Sequence, residues 1–321
     1  MVRQQVEFIS EEDGQRLDRF LTERLNGFSR SEIQRWTGNS DVSVNGRPAK
    51  ANHRLKNGDV VRLLLPDDRP DVLQPWWTPL SVVYEDGDCV VVDKPTGLVM
   101  HPATSHQQDT LVNALLARYP EMMAMVDRGG EPGKRPGIVH RLDKDTSGLA
   151  IIARHAAAQL ALQQQFQQRA IEKAYLALVF GWLSPPEGVI AAPIGRDPQN
   201  RQRMAVRPEG REAQTRYRAC RFLALGTAQG TGTPQEHYTL AEAEPLTGRT
   251  HQIRVHMAHM GHPVVGDAVY GARKRSLPCP RQFLHAHRLG FHRPRDGQWV
   301  VVESPLPADL VQVLSYLAEA S

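Results

Sequence analysis

The hydrophobic positions of the first 65 residues predict two helices followed by a small sheet. A first apolar stripe at helical spacing is formed by Leu17, Phe20, Leu21 and Leu25. The second helix has Ile33 and Trp36 on its apolar side and follows a capping sequence that begins at Ser29. An alternating strand then meets Asn45-Gly46, a dipeptide typical of tight hairpin turns. Residues 1–14 are expected to form a frayed lead-in or an edge strand.

Beyond residue 79 the pattern changes to strands with interspersed helices, which indicates an α+β fold. Apolar runs without helical spacing predict strands at 82–84, 89–92, 138–139, 149–153 and 238–241, and alternation predicts a strand at 173–181. Helices are predicted at 110–119, 155–169 and 306–318. A further helix carries Ile253, Met257 and Met260 on one side, with Thr250 as its expected cap.

Aperiodic stretches divide the chain into segments. The stretch from 67 to 78 contains two prolines and two tryptophans and is typical of a linker with some rigidity. We therefore expect a lead-in at 1–14, a small domain at 15–66, a linker at 67–78 and a large domain at 79–321. The run 225–235, rich in glycine and threonine, is expected to be a flexible insertion.

The composition is that of a folded protein whose charge permits a polyanionic partner. Of the 321 residues, 40% are hydrophobic and 23% charged, which allows a substantial core and excludes wholesale disorder. The formal net charge is +4, a balance that is compatible with nucleic acid without demanding it. Three widely spaced cysteines and the lack of an apolar signal segment predict reduced thiols and a cytoplasmic location.

The segment 140–149, HRLDKDTSGL, places four charged residues between two apolar runs. They are Arg141, Asp143, Lys144 and Asp145. Charges beside buried strands cost free energy unless they are paired or used in function. The residues alone allow two interpretations, a tight turn held by local ion pairs or a functional site.

The longer segment GIVHRLDKDTSGL resembles the catalytic signature of the RluA family of pseudouridine synthases. The resemblance implies that Asp143 is the essential carboxylate and that Arg141 enters the RNA stack in place of an extruded base. His140 is counted with Arg141 among the RNA-binding residues. The implied fold is a mixed, mostly antiparallel sheet bisected by a catalytic cleft. The implied reaction, isomerisation of uridine, requires no cofactor or metal.

Four other segments resemble the family in the same order along the chain. DKPTGLVMHP (93–102) resembles the first family motif; its Lys94 could meet phosphate or be a surface lysine on a structural turn. In KAYLALVFG (173–181), the resemblance implies that Tyr175 packs on the target uracil, although a lone strand tyrosine is commonly a core residue. In GRTHQIRVH (248–256), it implies that Arg254 pairs with the catalytic aspartate. FLHAHRLGFHRP (283–294) resembles the strand that closes the family's central sheet.

Residues 15–65 resemble the α-L (S-four-like) RNA-binding module. Two helices, a hairpin and basic residues support this, and the expected RNA contacts are Arg30, Arg35, Arg47 and Lys50. One departure is Asp41, at a position that is often basic in this module. A small α/β domain with a solvated basic face is the alternative.

Within the family, the order of the modules and the stretch GRTHQIRVHMAHMGHP are most similar to the RluD type, which acts on large-subunit ribosomal RNA. The expected partner is therefore that RNA or its precursor, with no membrane and no obligate protein partner. Other ribosomal or transfer RNA uridines remain alternative targets. A catalytically silent RNA-binding assembly factor is the alternative from another class.

The residues also suggest two other chemistries, a metal site and a serine hydrolase. His251, His256, His259 and His262 invite a metal site, but their spacing drifts around a helix and lacks a partner carboxylate or cysteine pair. Ser147 invites a hydrolase, but the chain lacks a G-x-S-x-G elbow. Both hypotheses are therefore disfavoured.

Overall fold

A computed structural model describes residues 5–25, 30–38, 41–64, 73–102, 106, 108–126, 135–200, 203–225, 236–271 and 277–319. Its helices are α1 Leu17–Arg24, α2 Arg30–Gly38, α3 Leu111–Arg118, α4 Met123–Val126, α5 Ala156–Gln167, α6 Gln252–His259 and α7 Ala308–Ser315. The first eight strands are β1 Gln5–Ile9, β2 Val42–Val44, β3 Arg47–Pro48, β4 Val60–Leu64, β5 Ser81–Glu85, β6 Cys89–Lys94, β7 Ser147–Ala153 and β8 Glu172–Phe180. The other eight are β9 Glu187–Ala191, β10 Ile194–Arg196, β11 Met204–Val206, β12 Gln214–Leu225, β13 His237–Pro245, β14 Leu284–His292, β15 Trp299–Glu303 and β16 Leu317–Glu319.

The chain divides into two compact units. One comprises Met1–Gln74 and Met123–Pro136, and the other Pro75–Met122 and Gly137–Ser321. The division after Gln74 falls inside the stretch 67–78 that the sequence predicts as a linker. The grouping of 123–136 with the first unit has no counterpart in the sequence pattern.

The first unit is a four-stranded antiparallel sheet that shares one hydrophobic core with α1 and α2. The strand order is β1-β4-β2-β3, so β1 is an edge strand, one of the two expectations for the lead-in. Both predicted helices are present with their apolar residues buried. Asn45 and Gly46 have φ angles of 51° and 78°, as a type I′ hairpin turn requires. The predicted cap at Ser29 lies outside the described residues.

The second unit contains a ten-stranded mixed sheet in which antiparallel pairs predominate, as the sequence predicts. The main path is β16-β12-β13-β8-β14-β7-β6-β5, with β15 beside β14 and β9 beside β12. Cys89, Val91, Leu149 and Ile151 belong to a core between β6, β7 and α5. Their strands are almost continuously apolar because both faces of the sheet are covered there.

The sheet divides beside its central strand, β14. One edge of β14 pairs with β8 over Leu284–Gly290. The other edge pairs with β7 through only two residue pairs, Ser147 with His285 and Gly148 with Ala286, and then with β15 from Arg288 onward. Among the described strands, β7 and β14 form the one parallel pair. The charged segment 140–146 enters the sheet at this division.

Several sequence predictions need correction. Thr250 does not cap α6; the helix follows His251, whose φ of 56° is left-handed. The terminal helix stops at Ser315, and the next residues form β16 against β12. Strands β9 to β12 lie in a region for which the sequence pattern gave no prediction. Residues 226–235 of the expected insertion lie outside the described part of the chain. Across the described ranges, the helices are too short or too polar to span a bilayer.

Gly148 generates a test of the β7–β14 junction. Its φ is +108°, and an added Cβ would lie 2.6 Å from the Ala286 nitrogen and still closer to the Ala286 oxygen. Gly148→Ala should therefore lower the free energy of unfolding by about 2–4 kcal/mol, through crowding and backbone strain together. Gly297→Ala is the matched control, because Gly297 also has a positive φ but open space around it. Urea unfolding measures both, and equal losses would contradict a close approach at Gly148.

Candidate active site

The segment 140–146 is a short loop that leads into β7. The Thr146 amide donates to the Asp143 carbonyl oxygen at 3.1 Å, and Leu142 is buried beneath the loop. Ile138 makes only an isolated bridge to Ile152, so the predicted strand at 138–139 is wrong. The predicted strand at 149–153 is found within β7. The Asp143 side chain remains 21% exposed, so the loop presents one carboxylate at the division of the sheet.

Arg254, on α6, joins the carboxylates of Asp143 and Asp267. Its Nη1 donates to Asp143 Oδ2 at 2.8 Å. Its Nε and Nη2 donate to Asp267 Oδ2 and Oδ1 at 2.6 and 2.9 Å, a bidentate pair. Only 5% of the Arg254 side chain is exposed. The structure thus brings together the two residues, Asp143 and Arg254, that the family resemblance pairs.

The opposite charges of Arg254 and the two aspartates offset the free-energy cost of burying these groups. Burial alone would lower the pKa of Arg254, but the hydrogen bonds and charge of Asp267, together with Asp143, raise it above its ordinary value. Burial would raise the pKa of Asp267, but Arg254 and the backbone amides of Val269 and Tyr270 hold it below its ordinary value. Arg254 therefore stays a cation beside Asp143 over the whole physiological pH range.

Asp267 is a site residue that the sequence analysis missed. It is fully buried, and its Oδ1 also accepts from Val269 N at 2.8 Å and Tyr270 N at 3.0 Å. Four hydrogen bonds therefore fix its carboxylate, and the carboxylate in turn fixes the Arg254 guanidinium. The available signal was an aspartate that directly follows the apolar run Val264-Val265-Gly266. A buried charge of that kind needs a partner cation.

His251 and Tyr270 complete the surroundings of Asp143. His251 Nε2 lies 3.9 Å from Asp143 Oδ1, and His251 Nδ1 lies 2.9 Å from the Tyr270 hydroxyl. The Tyr270 ring packs against the Arg254 guanidinium at 5.2 Å. Burial lowers the pKa of His251, and the charge of Arg254 acts in the same direction, whereas Asp143 acts against it. His251 is therefore a neutral imidazole at neutral pH.

Tyr175 lies on β8, paired with Ala286 on one side and Ala243 on the other. It is buried, as a core tyrosine would be, yet it also belongs to the electrostatic environment of Asp143. Burial raises the pKa of the Tyr175 phenol, and the negative charge of Asp143 raises it further. The phenol is therefore neutral and available only as a hydrogen-bonding or stacking group.

Lys94 is neither the phosphate contact nor the surface lysine considered from the sequence. It is fully buried, and Nζ donates to the carbonyl oxygens of Pro95, Leu98 and Lys144 at 2.8, 3.0 and 3.0 Å. Three acceptors match the three hydrogens of an ammonium group. Burial lowers the pKa of Lys94 to about 7. Lys94 thus ties the loop after β6 to the loop that carries Asp143, because Lys144 follows Asp143 directly.

A second buried cation, Arg281, holds the other end of the Asp143 loop. Its Nη1 donates to the Asp145 carbonyl oxygen at 3.1 Å and its Nη2 to Ser147 Oγ at 3.0 Å. Asp309, at the start of α7, accepts from Arg281 Nε at 2.7 Å. The sequence pattern indicated neither residue. Lys94 and Arg281 together fix the backbone on both sides of the loop.

The environment of Ser147 contradicts the hydrolase hypothesis. Ser147 is buried, and its Oγ is 3.0 Å from His285 Nδ1. The other ring nitrogen of His285, Nε2, lies 3.2 Å from the Ser304 carbonyl oxygen. Both ring nitrogens of this histidine therefore have partners within the protein. A substrate cannot reach a hydroxyl in that position.

Three of the four histidines around α6 have separate partners within the protein, and the partner of His251 is Tyr270. His256 lies between Thr215 Oγ1 and the Ala192 carbonyl oxygen, and His262 Nδ1 faces the Phe180 carbonyl oxygen. Over the described ranges, histidine, cysteine and acidic side chains do not gather in groups of three that could hold a metal ion.

The remaining predicted RNA-binding residues differ in their positions. Arg141, Arg47 and Lys50 are exposed. His140 is engaged within the protein: its Nε2 accepts from the Ile151 amide at 3.0 Å, and its ring stacks on Phe166. Burial, with the charge of Lys173, lowers the pKa of His140 to about 3, which excludes a cationic contact with phosphate. The side chains of Arg30 and Arg35 lie outside the described residues.

Two protein families match this chain. Residues 88–259, more than half of the chain, match the family described as RNA pseudouridylate synthase. Residues 15–61 match the S4 domain. The first match includes Asp143, Tyr175 and Arg254, and the second includes Arg47 and Lys50.

Similar proteins cover nearly the whole chain. An uncharacterized RNA pseudouridine synthase of Chloroflexus aurantiacus is 48% identical over 95% of this chain and 90% of its own length. Ribosomal large subunit pseudouridine synthase D of Xanthomonas campestris is 40% identical over 96% of this chain and 90% of its own. The solved structure of human RNA pseudouridylate synthase domain containing 1 covers 80% of this chain and 92% of its own, with 27% identity and a TM-score of 0.58. The chain therefore belongs to the RluA family of RNA pseudouridine synthases and is an enzyme of that class with an S4 domain before its catalytic domain.

Proposed function

We propose that this pseudouridine synthase isomerises specific uridines in large-subunit ribosomal RNA, with Asp143 as the reacting carboxylate. The observation that carries the proposal is the Asp143 side chain, which is partly exposed and bound through Oδ2 to Arg254, while its Oδ1 lies 3.9 Å from His251 Nε2. The choice of RNA is supported by relatives named ribosomal large subunit pseudouridine synthase D at about 40% identity. Such a substrate fits the cytoplasmic location expected from the sequence.

The reaction itself explains why this cluster suits it. Pseudouridine formation breaks the bond between ribose C1′ and uracil N1, turns the base and joins C1′ to C5. The carboxylate must be ionised in either mechanism, whether it attacks C1′ or removes the C2′ proton. Arg254 Nη1 donates to Asp143 Oδ2 at 2.8 Å and supplies the cation beside this carboxylate. Because Asp267 anchors Arg254, the cation keeps its place when Asp143 changes charge during the reaction.

Tyr175 and Arg141 have distinct roles in this proposal. Tyr175, neutral and close to Asp143, supplies the wall on which the uracil stacks. Arg141 is exposed two positions before Asp143, where it can replace an extruded base in the RNA stack. Extrusion costs a few kcal/mol and is cheapest in loops and bulges, so we expect the target uridine in such an element.

The N-terminal domain is proposed to contribute affinity by phosphate contacts. Arg47 lies in β3 and Lys50 follows it, and both are exposed. They come after the Asn45-Gly46 turn that joins β2 to β3. Contacts of this type release counterions and are independent of sequence. They would increase the affinity for structured RNA while the catalytic domain selects the nucleotide.

The first test is to map pseudouridines in ribosomal and transfer RNA from cells with and without this protein. We expect one or more large-subunit sites to be lost and to return with the wild-type chain but not with Asp143→Asn. Asp143→Asn should still fold and bind RNA, because the side chain keeps its size and an oxygen acceptor for Arg254, and Asp267 still pairs with that arginine. Asp145→Asn is the matched control and should restore modification, since Asp145 acts through its backbone carbonyl.

Three outcomes would contradict the proposal in different ways. Restored modification with Asp143→Asn would remove its catalytic role. Loss confined to transfer RNA would change the substrate. Unchanged pseudouridine in all RNAs would favour a silent assembly factor.

Arg254 can be tested for its effect on stability and activity together. Arg254→Met leaves two carboxylates without their cation, so we expect abolished turnover and a loss of about 3–5 kcal/mol in unfolding free energy. Adding Asp267→Asn removes one buried charge but keeps an acceptor for the Val269 and Tyr270 amides. The double variant should regain part of the stability but no activity. Recovery of turnover would show that Arg254 does not act on Asp143.

The N-terminal contacts can be tested through salt dependence. Replacing Arg47 and Lys50 together by glutamine should reduce the slope of log affinity against log salt by about 1.4–1.8, if both contact phosphate. Arg62→Gln is the control, because Arg62 is already paired with Glu7 at 2.7 Å. Filter binding of the mapped RNA element gives the slopes. A slope that is unchanged in the double variant would exclude these two contacts.

A further inference from the structure

The surrounding structure holds His251 in a backbone conformation that histidine rarely adopts. Its φ and ψ of 56° and 22° are left-handed, a strained conformation that is uncommon for residues other than glycine. The position directs the imidazole between two groups. One is the Tyr270 hydroxyl at 2.9 Å from Nδ1, and the other is Asp143 Oδ1 at 3.9 Å from Nε2.

The hydrogen bonds around Tyr270 are compatible with a proton on His251 Nε2. The Tyr270 oxygen accepts from the Met204 amide at 2.8 Å, and its own hydrogen is free to point at His251 Nδ1. With Tyr270 as the donor in this pair, the ring proton lies on Nε2. The charged groups that face the ring are Asp143, Asp267, Arg254 and Arg141. With burial and the two arginines opposing protonation, the ring stays neutral and presents a single N–H toward Asp143.

The distance between His251 Nε2 and Asp143 Oδ1 allows one hydroxyl group to hydrogen-bond with both atoms. A separation of 3.9 Å is too long for a direct hydrogen bond, but an oxygen between the two atoms can lie at normal hydrogen-bond distance from both. Asp143 Oδ2 is already bound by Arg254, which leaves Oδ1 as the acceptor at this gap. A group that fits must accept from nitrogen and donate to oxygen.

We propose that His251 Nε2–H and Asp143 Oδ1 together bind the 2′-hydroxyl of the target nucleotide, so that the active site itself requires ribose. The 2′-hydroxyl is both donor and acceptor and is the group that distinguishes RNA from DNA. It lies on the carbon next to C1′, where the proposed reaction takes place. The inference rests on the proposed role of Asp143 and adds a second substrate-binding residue and the feature that it recognises.

The test uses a synthetic RNA stem-loop that contains a mapped target uridine, with ribose or 2′-deoxyribose at that one nucleotide. For the wild-type enzyme, kcat/KM should favour ribose by at least about tenfold, the effect of one good hydrogen bond and its unpaired partner. His251→Phe should act more slowly on the ribose substrate and lose most of this preference. His251→Gln, which retains an N–H donor, should keep part of it. Both variants share the left-handed backbone strain, so their difference reports the donor.

Two controls separate recognition from general damage. His259→Phe changes an exposed histidine of the same helix and should leave the preference unchanged. A 2′-deoxyribose at the preceding nucleotide should have the same effect on the wild type and on His251→Phe. If the deoxyribose substrate is not turned over, equilibrium binding of the product RNA, with pseudouridine or 2′-deoxypseudouridine, supplies the same ratio.

An equal ribose preference in the wild type and His251→Phe would overturn the inference. That result differs from a failure of the proposed function, in which the wild-type enzyme would not convert the ribose stem-loop at all.

Discussion

The active site depends on one buried guanidinium that is shared by two carboxylates. Asp267, fixed by four hydrogen bonds, holds Arg254 in place, and Arg254 holds Asp143. Removing a cation from such a cluster is far more costly than removing a surface ion pair, because the remaining carboxylates lie in a medium that solvates charge poorly. The cluster therefore contributes to the stability of the fold and fixes the position of the Asp143 carboxylate at the same time.

The loop that carries Asp143 is positioned by groups from both parts of the divided sheet. Lys94, at the end of β6, binds the Lys144 carbonyl oxygen, and Arg281, just before β14, binds the Asp145 carbonyl oxygen. β7 and β14 share only two residue pairs, so backbone pairing alone would leave the loop weakly constrained there. Hydrogen bonds from the buried side chains of Lys94 and Arg281 to its carbonyl oxygens supply the missing rigidity at the position of Asp143.

The sequence predicted the local elements and the family motifs but not the buried polar partners. Hydrophobic periodicity was sufficient for α1, because its apolar residues Leu17, Phe20 and Leu21 are all buried as the helical spacing predicts. Asp267 and Arg281 were missed because charged residues are exposed by default, and their partners are distant in the chain. Lys94 was misjudged for the same reason: periodicity gives no sign that three carbonyl oxygens converge on one position. The roles of Asp143, Tyr175 and Arg141 stay predictions that rest on resemblance and geometry.

The division of the sheet has a consequence for the order of folding. Asp143 finds Arg254 at a separation of 111 residues, and Asp145 finds Arg281 at 136. Contacts of such long range form late, since closing a long loop costs entropy before the contact repays it. During synthesis the carboxylate is made long before its cation, so the emerging chain carries an unassembled site. The Asp143–Arg254 and Asp145–Arg281 contacts therefore form only after the strands on both sides of the division have been synthesised.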